Sequence, residues 1–273
     1  MSAPDRYAVI GNPVAHSKSP DIHALFAMQT HQNMRYQHLL APLDGFEATV
    51  MQFAAEGGKG LNVTVPFKLE AFKLATSLTS RAQAAGAVNT LKFEGGAILG
   101  ENTDGKGLMV DIVENAGYPV AGASVLLLGA GGAARGVIQP LLAQHPARLV
   151  IANRRVDSAR ELADFFSSAG KVDVSTYAAL QEPFDIIINA TSAGLSNEMP
   201  PVPAAVFRPS ALALDMVYGD RPTPFLDFAA THGAVVRDGF GMLVEQAAES
   251  FFVWRGVRPD TAPVFSALRP QAA

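Results

Sequence analysis

The chain has 273 residues, 49% of them hydrophobic and 17% charged, with a net charge of −4 and no cysteine. That length suits one large domain or two ordinary ones, each able to bury a sizeable core. The missing cysteines exclude disulfides, thiolate metal sites and cysteine nucleophiles, and the weakly acidic balance lacks the basic stripe that nucleic acid requires. Residues 1–6 are polar, and the apolar run from Tyr7 breaks at Gly11-Asn12-Pro13, so no secretory leader is expected. Residues 115–134 carry no charge, but Pro119 and five glycines defeat a membrane-spanning reading. A soluble, cytoplasmic protein is the expectation.

In chain order, residues 7–10 predict a short strand ending at the Gly-Asn-Pro turn. His16-Ser17-Lys18-Ser19-Pro20 then leads into a helical pattern through Ile22, Leu25, Phe26 and Met28. Ser19 suits the N-cap and Pro20 the first turn. Ser17 and Ser19 are either simply a helix start or a pair of hydroxyls cradling a carboxylate. Residues 36–41 read as a second strand and 46–55 as a helix. Alternation through Val63 and Val65 continues as a strand that Pro66 must end, which leaves Lys68 just past it, where catalytic side chains are commonly presented. Taken alone, such a lysine is an ordinary surface charge. Residues 84–91 and 99–107 read as polar turns rich in side-chain amides, hydroxyls and one carboxylate, Asp104.

From Val125 the pattern changes. Val-Leu-Leu-Leu is an apolar run expected of a strand buried on both faces, followed by Gly129-Ala130-Gly131-Gly132-Ala133-Ala134. Gly129 and Gly131 permit a tight turn and close approach of a pyrophosphate, Ala134 takes the small position where helix packs on strand, and a helix starting near Gly132 aims its free N–H groups at phosphate. Further buried strands are expected at 148–152, 184–190, 212–217 and 234–237, with helical patterns between them. That alternation predicts an α/β, doubly wound, Rossmann-like parallel sheet that binds a dinucleotide. A final helix over 242–255 is too long and apolar to be a tail and must pack back on the first domain. The expected division is a first domain at 1–104, with 240–273 returning to it, and a dinucleotide domain at 105–239, with the active site in the cleft between them.

An NAD site usually carries a carboxylate at the end of its second strand. Here that place holds Asn153-Arg154-Arg155, with no carboxylate before Asp157. Two guanidiniums suit a 2′-phosphate, so NADP is the expected cofactor. Six histidines occur at no metal-ligand spacing, and no metal is expected.

Taken together, the motifs resemble the shikimate dehydrogenase family. The resemblance is carried by Gly11-Asn12-Pro13, Ser17-Lys18-Ser19-Pro20, Asn62-Val63-Thr64-Val65-Pro66-Phe67-Lys68, Gly86-Ala87-Val88-Asn89-Thr90, Asn102-Thr103-Asp104-Gly105, the Gly129–Ala133 turn, Asn189-Ala190-Thr191-Ser192, Asp215-Met216-Val217-Tyr218 and the run from Gly239 through Gln246. It runs over about 7–264, in the family's order. It implies an N-terminal substrate domain and NADPH-dependent, reversible reduction of 3-dehydroshikimate to shikimate, a step toward chorismate and the aromatic amino acids. It also implies that Lys68 and Asp104 face the reacting hydroxyl; on chemical grounds Lys68 is the general acid/base and Asp104 its orienting partner. Ser17, Ser19, Thr64 and Tyr218 would take the carboxylate side of the substrate, and Asn89 and Gln246 its ring hydroxyls. Gly129, Ala130, Gly131, Gly132, Ala133, Asn153, Arg154, Arg155, Met216 and Gly239 would line the cofactor. Arg155 departs from the family's usual small hydroxyl residue. The expected partners are the small substrate and NADP, without nucleic acid or membrane, in a monomer or homodimer. Two rivals stand beside this reading: a broader quinate/shikimate dehydrogenase using NAD, and a non-catalytic NADP-binding sensor.

Overall fold

In the computed structural model, residues 3–269 are described. The chain divides into two compact units, one reaching Gly107 and resuming at Leu243, the other running from Leu108 to Met242.

The first unit contains β1 (Asp5–Gly11), α1 (Ser19–Gln29), β2 (Met34–Leu40), α2 (Phe46–Ala55), β3 (Gly58–Val63), α3 (Lys68–Leu74), β4 (Ser77–Leu78), α4 (Ser80–Ala85), β5 (Thr90–Glu94) and β6 (Ala97–Glu101). Their sheet has the order β2-β1-β3-β5-β6-β4. β1 pairs in parallel with β2 and β3, whereas β5 pairs antiparallel with both β3 and β6. The continuous burial of β1 from Tyr7 to Gly11 marks a strand covered on both faces. Phe46, Val50 and Phe53 fall at helical spacing on α2 and close one face over Ala8, Ile10, Leu61 and Val63.

The residues expected as polar turns are therefore partly regular. The stretch at 84–91 closes α4 and opens β5, and 99–107 contains the end of β6, so only the segments between these elements are loops. The hairpin joining β5 and β6 turns on Gly95 and Gly96, both at positive φ. Likewise the strand expected to run through Val65 ends at Val63, and Val65 lies exposed beyond it.

Next in the chain come α5 (Asp104–Met109) and a π-helical turn over Val110–Asn115. The second unit then builds β7 (Ser124–Leu128), α6 (Gly132–Leu142), β8 (Arg148–Ala152), α7 (Val156–Phe165), β9 (Asp173–Ser175), β10 (Ile186–Asn189), β11 (Leu212–Asp215), α8 (Pro224–Thr231) and β12 (Val235–Arg237). The sheet order is β12-β11-β10-β7-β8-β9, and every pairing is parallel. Counted from β7, this is the doubly wound order 6-5-4-1-2-3, whose direction of winding reverses between β7 and β10. Odd and even residues of β7 feed opposite layers: Val125 and Leu127 pack under α6, Leu126 and Leu128 under α8. The strand β9 is one more than the sequence pattern predicts. It is only three residues long and pairs with β8 alone, too short for its alternation to show.

Two helices complete the chain, α9 (Phe240–Arg255) and α10 (Ala262–Leu268). The part of α9 within the first unit packs on its sheet: Trp254 donates Nε1–H to the Leu91 carbonyl at 3.0 Å and lies 4.7 Å from the Tyr7 ring. Among the described residues, no helix is long and apolar enough to cross a membrane.

Candidate active site

In the first unit, the ends of β3 and β6 deliver a lysine and an aspartate to each other. Beyond Val63 the backbone N–H of Phe67 closes a turn on the Thr64 carbonyl at 3.1 Å, and Lys68 opens α3. Asp104 opens α5 three residues after the last residue of β6. Lys68 Nζ lies 2.5 Å from Asp104 Oδ2, with the two side chains 16% and 6% exposed, so solvent screens the pair far less than it would a surface pair.

The other carboxylate oxygen is held as well. Asn89 Nδ2 donates to Asp104 Oδ1 at 2.8 Å and lies 2.9 Å from Thr103 Oγ1 and 3.2 Å from Gln246 Oε1. Asn89 Oδ1 accepts from the Thr103 backbone N–H at 2.8 Å and from Thr90 Oγ1 at 3.0 Å. Asn102 Oδ1 accepts the backbone N–H of Asp104 at 3.1 Å. Gln246 is oriented in turn by its own donation to the Leu243 carbonyl at 2.9 Å. Lys68, Asn89, Asp104 and Gln246 are thus brought together in one unit. A cation aimed by a carboxylate whose far oxygen is already bonded can pass a proton to or from an oxygen placed beside it.

Beneath them lies a polar layer that sequence reading left without a role. Asn62 Nδ2 donates to Ser250 Oγ at 2.9 Å and to Thr90 Oγ1 at 3.1 Å, while its Oδ1 accepts from Tyr36 OH at 2.8 Å. Thr103 and Ser250 hydroxyls lie 3.1 Å apart. The signal was present in the Asn-Val-Thr and Asn-Thr-Asp motifs, but neither shows which side chain faces inward.

Ser17 and Ser19 form a hydroxyl pair at the start of α1. The expected cap is displaced: Ser19 is the first helical residue, Lys18 occupies the cap position, and no side chain caps the helix there. Ser17 Oγ instead accepts the backbone N–H of Ser19 at 3.3 Å and lies 3.1 Å from Ser19 Oγ. Thr64 directly follows β3, its backbone N–H on the Ile10 carbonyl of β1 at 2.9 Å. Its methyl would be 2.3 Å from a Cβ at position 11, so the glycine there sets its place.

In the second unit, the glycine turn between β7 and α6 behaves as its chemistry requires. Gly129 has φ +104° and would press a Cβ to within 3.2 Å of the Ala190 backbone. Gly131 differs: a Cβ there would meet nothing of the chain within 4 Å. No packing demands glycine at that spot, yet it precedes the free N–H groups of α6. The open space beside a helix N-terminus fits a dinucleotide pyrophosphate. Gly132 opens α6, Ala130 and Ala133 flank the turn, and Ala134 is fully buried against the sheet.

At the end of β8, Asn153 Nδ2 donates to the Arg155 carbonyl at 3.0 Å and shapes the turn that exposes Arg154 and Arg155. Asp157, the nearest carboxylate in sequence, is paired with Arg160 at 2.8 Å. The donor set is two guanidiniums beside an asparagine, which fits a 2′-phosphate.

Met216 and Gly239 are brought together, because a Cβ on Gly239 would lie 2.2 Å from the Met216 carbonyl oxygen. Their loop is anchored by buried Asp215, which accepts from Thr223 Oγ1 at 2.6 Å, Asn189 Nδ2 at 3.0 Å and the Val217 N–H at 3.0 Å. Burial pushes the Asp215 carboxyl above its ordinary value, against those three hydrogen bonds. Tyr218 also lies in the second unit, its ring 6.4 Å from that of Phe240.

Known proteins resemble this chain over nearly its whole length. Residues 9–91 match the shikimate dehydrogenase substrate binding domain, 111–197 the shikimate / quinate 5-dehydrogenase family, and 239–269 the shikimate 5′-dehydrogenase C-terminal domain. The chain is 66% identical over 267 residues to a shikimate dehydrogenase (NADP(+)) of Herminiimonas arsenicoxydans, covering 98% of each chain. Among solved structures, an Ael1 enzyme from Pseudomonas putida superimposes with a TM-score of 0.90 at 53% identity, over 97% of this chain and 98% of that one. A shikimate 5-dehydrogenase from Thermus thermophilus in complex with NADP(H) and shikimate gives 0.86 at 32% identity, over 96% and 98%. With near-complete coverage at such identity, and three family models matched along its length, the chain belongs to the shikimate dehydrogenase family.

Proposed function

We propose that the protein catalyses the NADP-dependent, reversible reduction of 3-dehydroshikimate to shikimate, the oxidoreductase step leading toward chorismate and the aromatic amino acids. The observation that carries the reading is the Lys68–Asp104 pair at 2.5 Å, with Asn89 and Gln246 gathered around it. Bound NADPH supplies the hydride that reduces the ketone carbon. As charge builds on the ketone oxygen, Lys68 gives it a proton, and in the oxidative direction its amine takes the proton back. Asp104 aims Lys68, while Asn89 and Gln246 bind the ring hydroxyls. Ser17, Ser19 and Thr64 take the substrate carboxylate, and Tyr218 is assigned to it with them on the family resemblance. Gly129 to Ala133 hold the pyrophosphate, Asn153 to Arg155 the 2′-phosphate, and Met216 with Gly239 the remaining cofactor wall.

In this reading, residues 1–104 and 240–273 serve the substrate and 105–239 the cofactor. The protein works in the cytoplasm as a monomer or homodimer and has no nucleic-acid partner, in keeping with its net charge of −4.

A steady-state assay of shikimate and quinate with NADP and with NAD tests the reading. It predicts turnover of shikimate with NADP well above the other three combinations. Preference for quinate with NAD would support the broader dehydrogenase, and NADP binding without turnover would support the sensor.

A further inference from the structure

Arg81, on α4, touches none of the proposed substrate-binding residues, yet it holds the supports of two of them. Its Nε and Nη2 engage both oxygens of Glu101, at 3.1 and 2.9 Å, and its Nη1 engages Glu249 at 2.8 Å. Both glutamates are buried, 4% and 5% exposed. Buried carboxylates are tolerated only when paired and hydrogen-bonded, so the guanidinium between them fixes where each can sit.

From Glu101 the connections run forward to Asp104. Glu101 Oε1 accepts the backbone N–H of Asn102 at 2.7 Å and Thr79 Oγ1 at 2.8 Å. Asn102 is pinned by its donation to the Ala87 carbonyl at 3.0 Å, and its own Oδ1 takes the Asp104 N–H at 3.1 Å. The carboxylate that aims Lys68 thus starts from a backbone that Glu101 sets. From Glu249 the connections run back along α9. Gln246 lies three residues earlier, one helical turn away and on the same side. Arg258 also pairs with Glu249, through the oxygen that Arg81 does not use.

We infer that Arg81 is a positioning residue: by clamping Glu101 and Glu249 together it sets the spacing between Asp104 and Gln246, and hence the fit of the shikimate hydroxyls to Lys68. A planar fork is needed for this. A lysine can neutralise one carboxylate but cannot bond both oxygens of Glu101 while holding Glu249.

The inference rests on the function proposed above, and one set of assays separates the two. Shikimate oxidation by the full chain would be measured for wild type, Arg81→Lys and Glu249→Gln, with KM for shikimate, KM for NADP, kcat and thermal midpoint read for each. Inactive wild type overturns the function; active wild type with unaffected variants overturns only the inference. Arg81→Lys should lose about ten- to a hundredfold in kcat/KM for shikimate while KM for NADP stays within about twofold, because only the substrate-side geometry relaxes. Glu249→Gln keeps the Arg81–Glu101 pair, so it should raise KM for shikimate several-fold with kcat nearly intact. Equal losses toward both substrates, or activity that falls only with the thermal midpoint, would reduce Arg81 to a stabilising ion pair. If Arg81→Lys does not fold, Glu249→Gln decides alone: an unchanged KM for shikimate overturns the inference.

Discussion

Lys68 and Asp104 meet at 2.5 Å from the ends of two different strands, and Asp104 is held on its second oxygen by Asn89 at 2.8 Å. The aspartate therefore cannot turn away from the lysine without breaking a buried hydrogen bond. Lys68→Met should lower turnover by about a hundredfold to ten-thousandfold while shikimate still binds, the usual contribution of a positioned acid/base. Asp104→Asn should also lose activity. The double variant should lose much less than the two losses combined, because the groups act as one. Steady-state kinetics on the four proteins check this, and additive losses would count against the partnership.

The serine pair gives a second prediction. Each neutral hydrogen bond contributes about 0.5 to 1.5 kcal/mol, so Ser17→Ala and Ser19→Ala should each raise KM for shikimate by about two- to thirteenfold. Their effects on stability should differ. Ser17 Oγ accepts the Ser19 N–H at the opening of α1, so Ser17→Ala should also lower the thermal midpoint, whereas Ser19 caps nothing. Unchanged shikimate affinity in both folded variants would leave the pair a purely local feature of the helix start.

What could be read from the sequence was whatever local chemistry imposes. Gly129 must be glycine because its φ is +104°, and that requirement stands beside an apolar strand in plain text. The four-residue run Ile186–Asn189, buried throughout, is equally visible. The β5–β6 hairpin was hidden because the polar loop residues that flank it, Asn89, Asn102 and Thr103, dominate the pattern at its ends, although Asn89 and Thr103 bond each other in the interior. The Asn62–Ser250 contact spans 188 residues, and no periodicity encodes a partner so distant. Ser19 was misplaced by one step because the same hydroxyl spacing fits either a cap or a residue just inside the helix.

His23 makes acid a specific threat to the first unit. It is fully buried, stacked on Tyr36 at 4.2 Å and close to Phe26, Phe251 and Trp254, and neither ring nitrogen has a hydrogen-bond partner. Burial pushes its pKa down from 6.5 to about 3, with nearby Asn62 opposing. Between those values the unfolded chain binds the proton and the folded chain does not, so stability falls as pH drops through 6.5 toward 3. The slope approaches about 1.4 kcal/mol per pH unit from this group alone. Replacing His23 by Phe keeps an aromatic ring in the stack and removes the titration. Urea unfolding at pH 7, 5.5 and 4.5 should show wild type losing stability faster than His23→Phe as pH falls. Parallel losses in the two proteins would sink the assignment.

The last prediction concerns cofactor choice and rests on Arg154 and Arg155. Both are exposed at the end of β8, on a turn that Asn153 shapes through its bond to the Arg155 carbonyl, and the carboxylate that follows is taken up by Arg160. Among the described residues, neither guanidinium is in an ion pair with a carboxylate. A charge-assisted hydrogen bond to the 2′-phosphate contributes about 1.5 to 3 kcal/mol. Losing one should weaken NADP binding by about ten- to a hundred-and-fifty-fold. Arg154→Ala should lose slightly more if the side chain also stacks on the adenine. NAD lacks the phosphate, so its affinity should stay nearly constant in the same variants. Added salt should narrow the difference, since both side chains face solvent. Titrating NADP and NAD into wild type, Arg154→Ala and Arg155→Ala at low and high salt measures all of this. Parallel losses for the two cofactors would mean that the arginines support only the fold of the turn. A loss confined to NADP, shrinking as salt rises, is what two free guanidiniums beside a phosphate require.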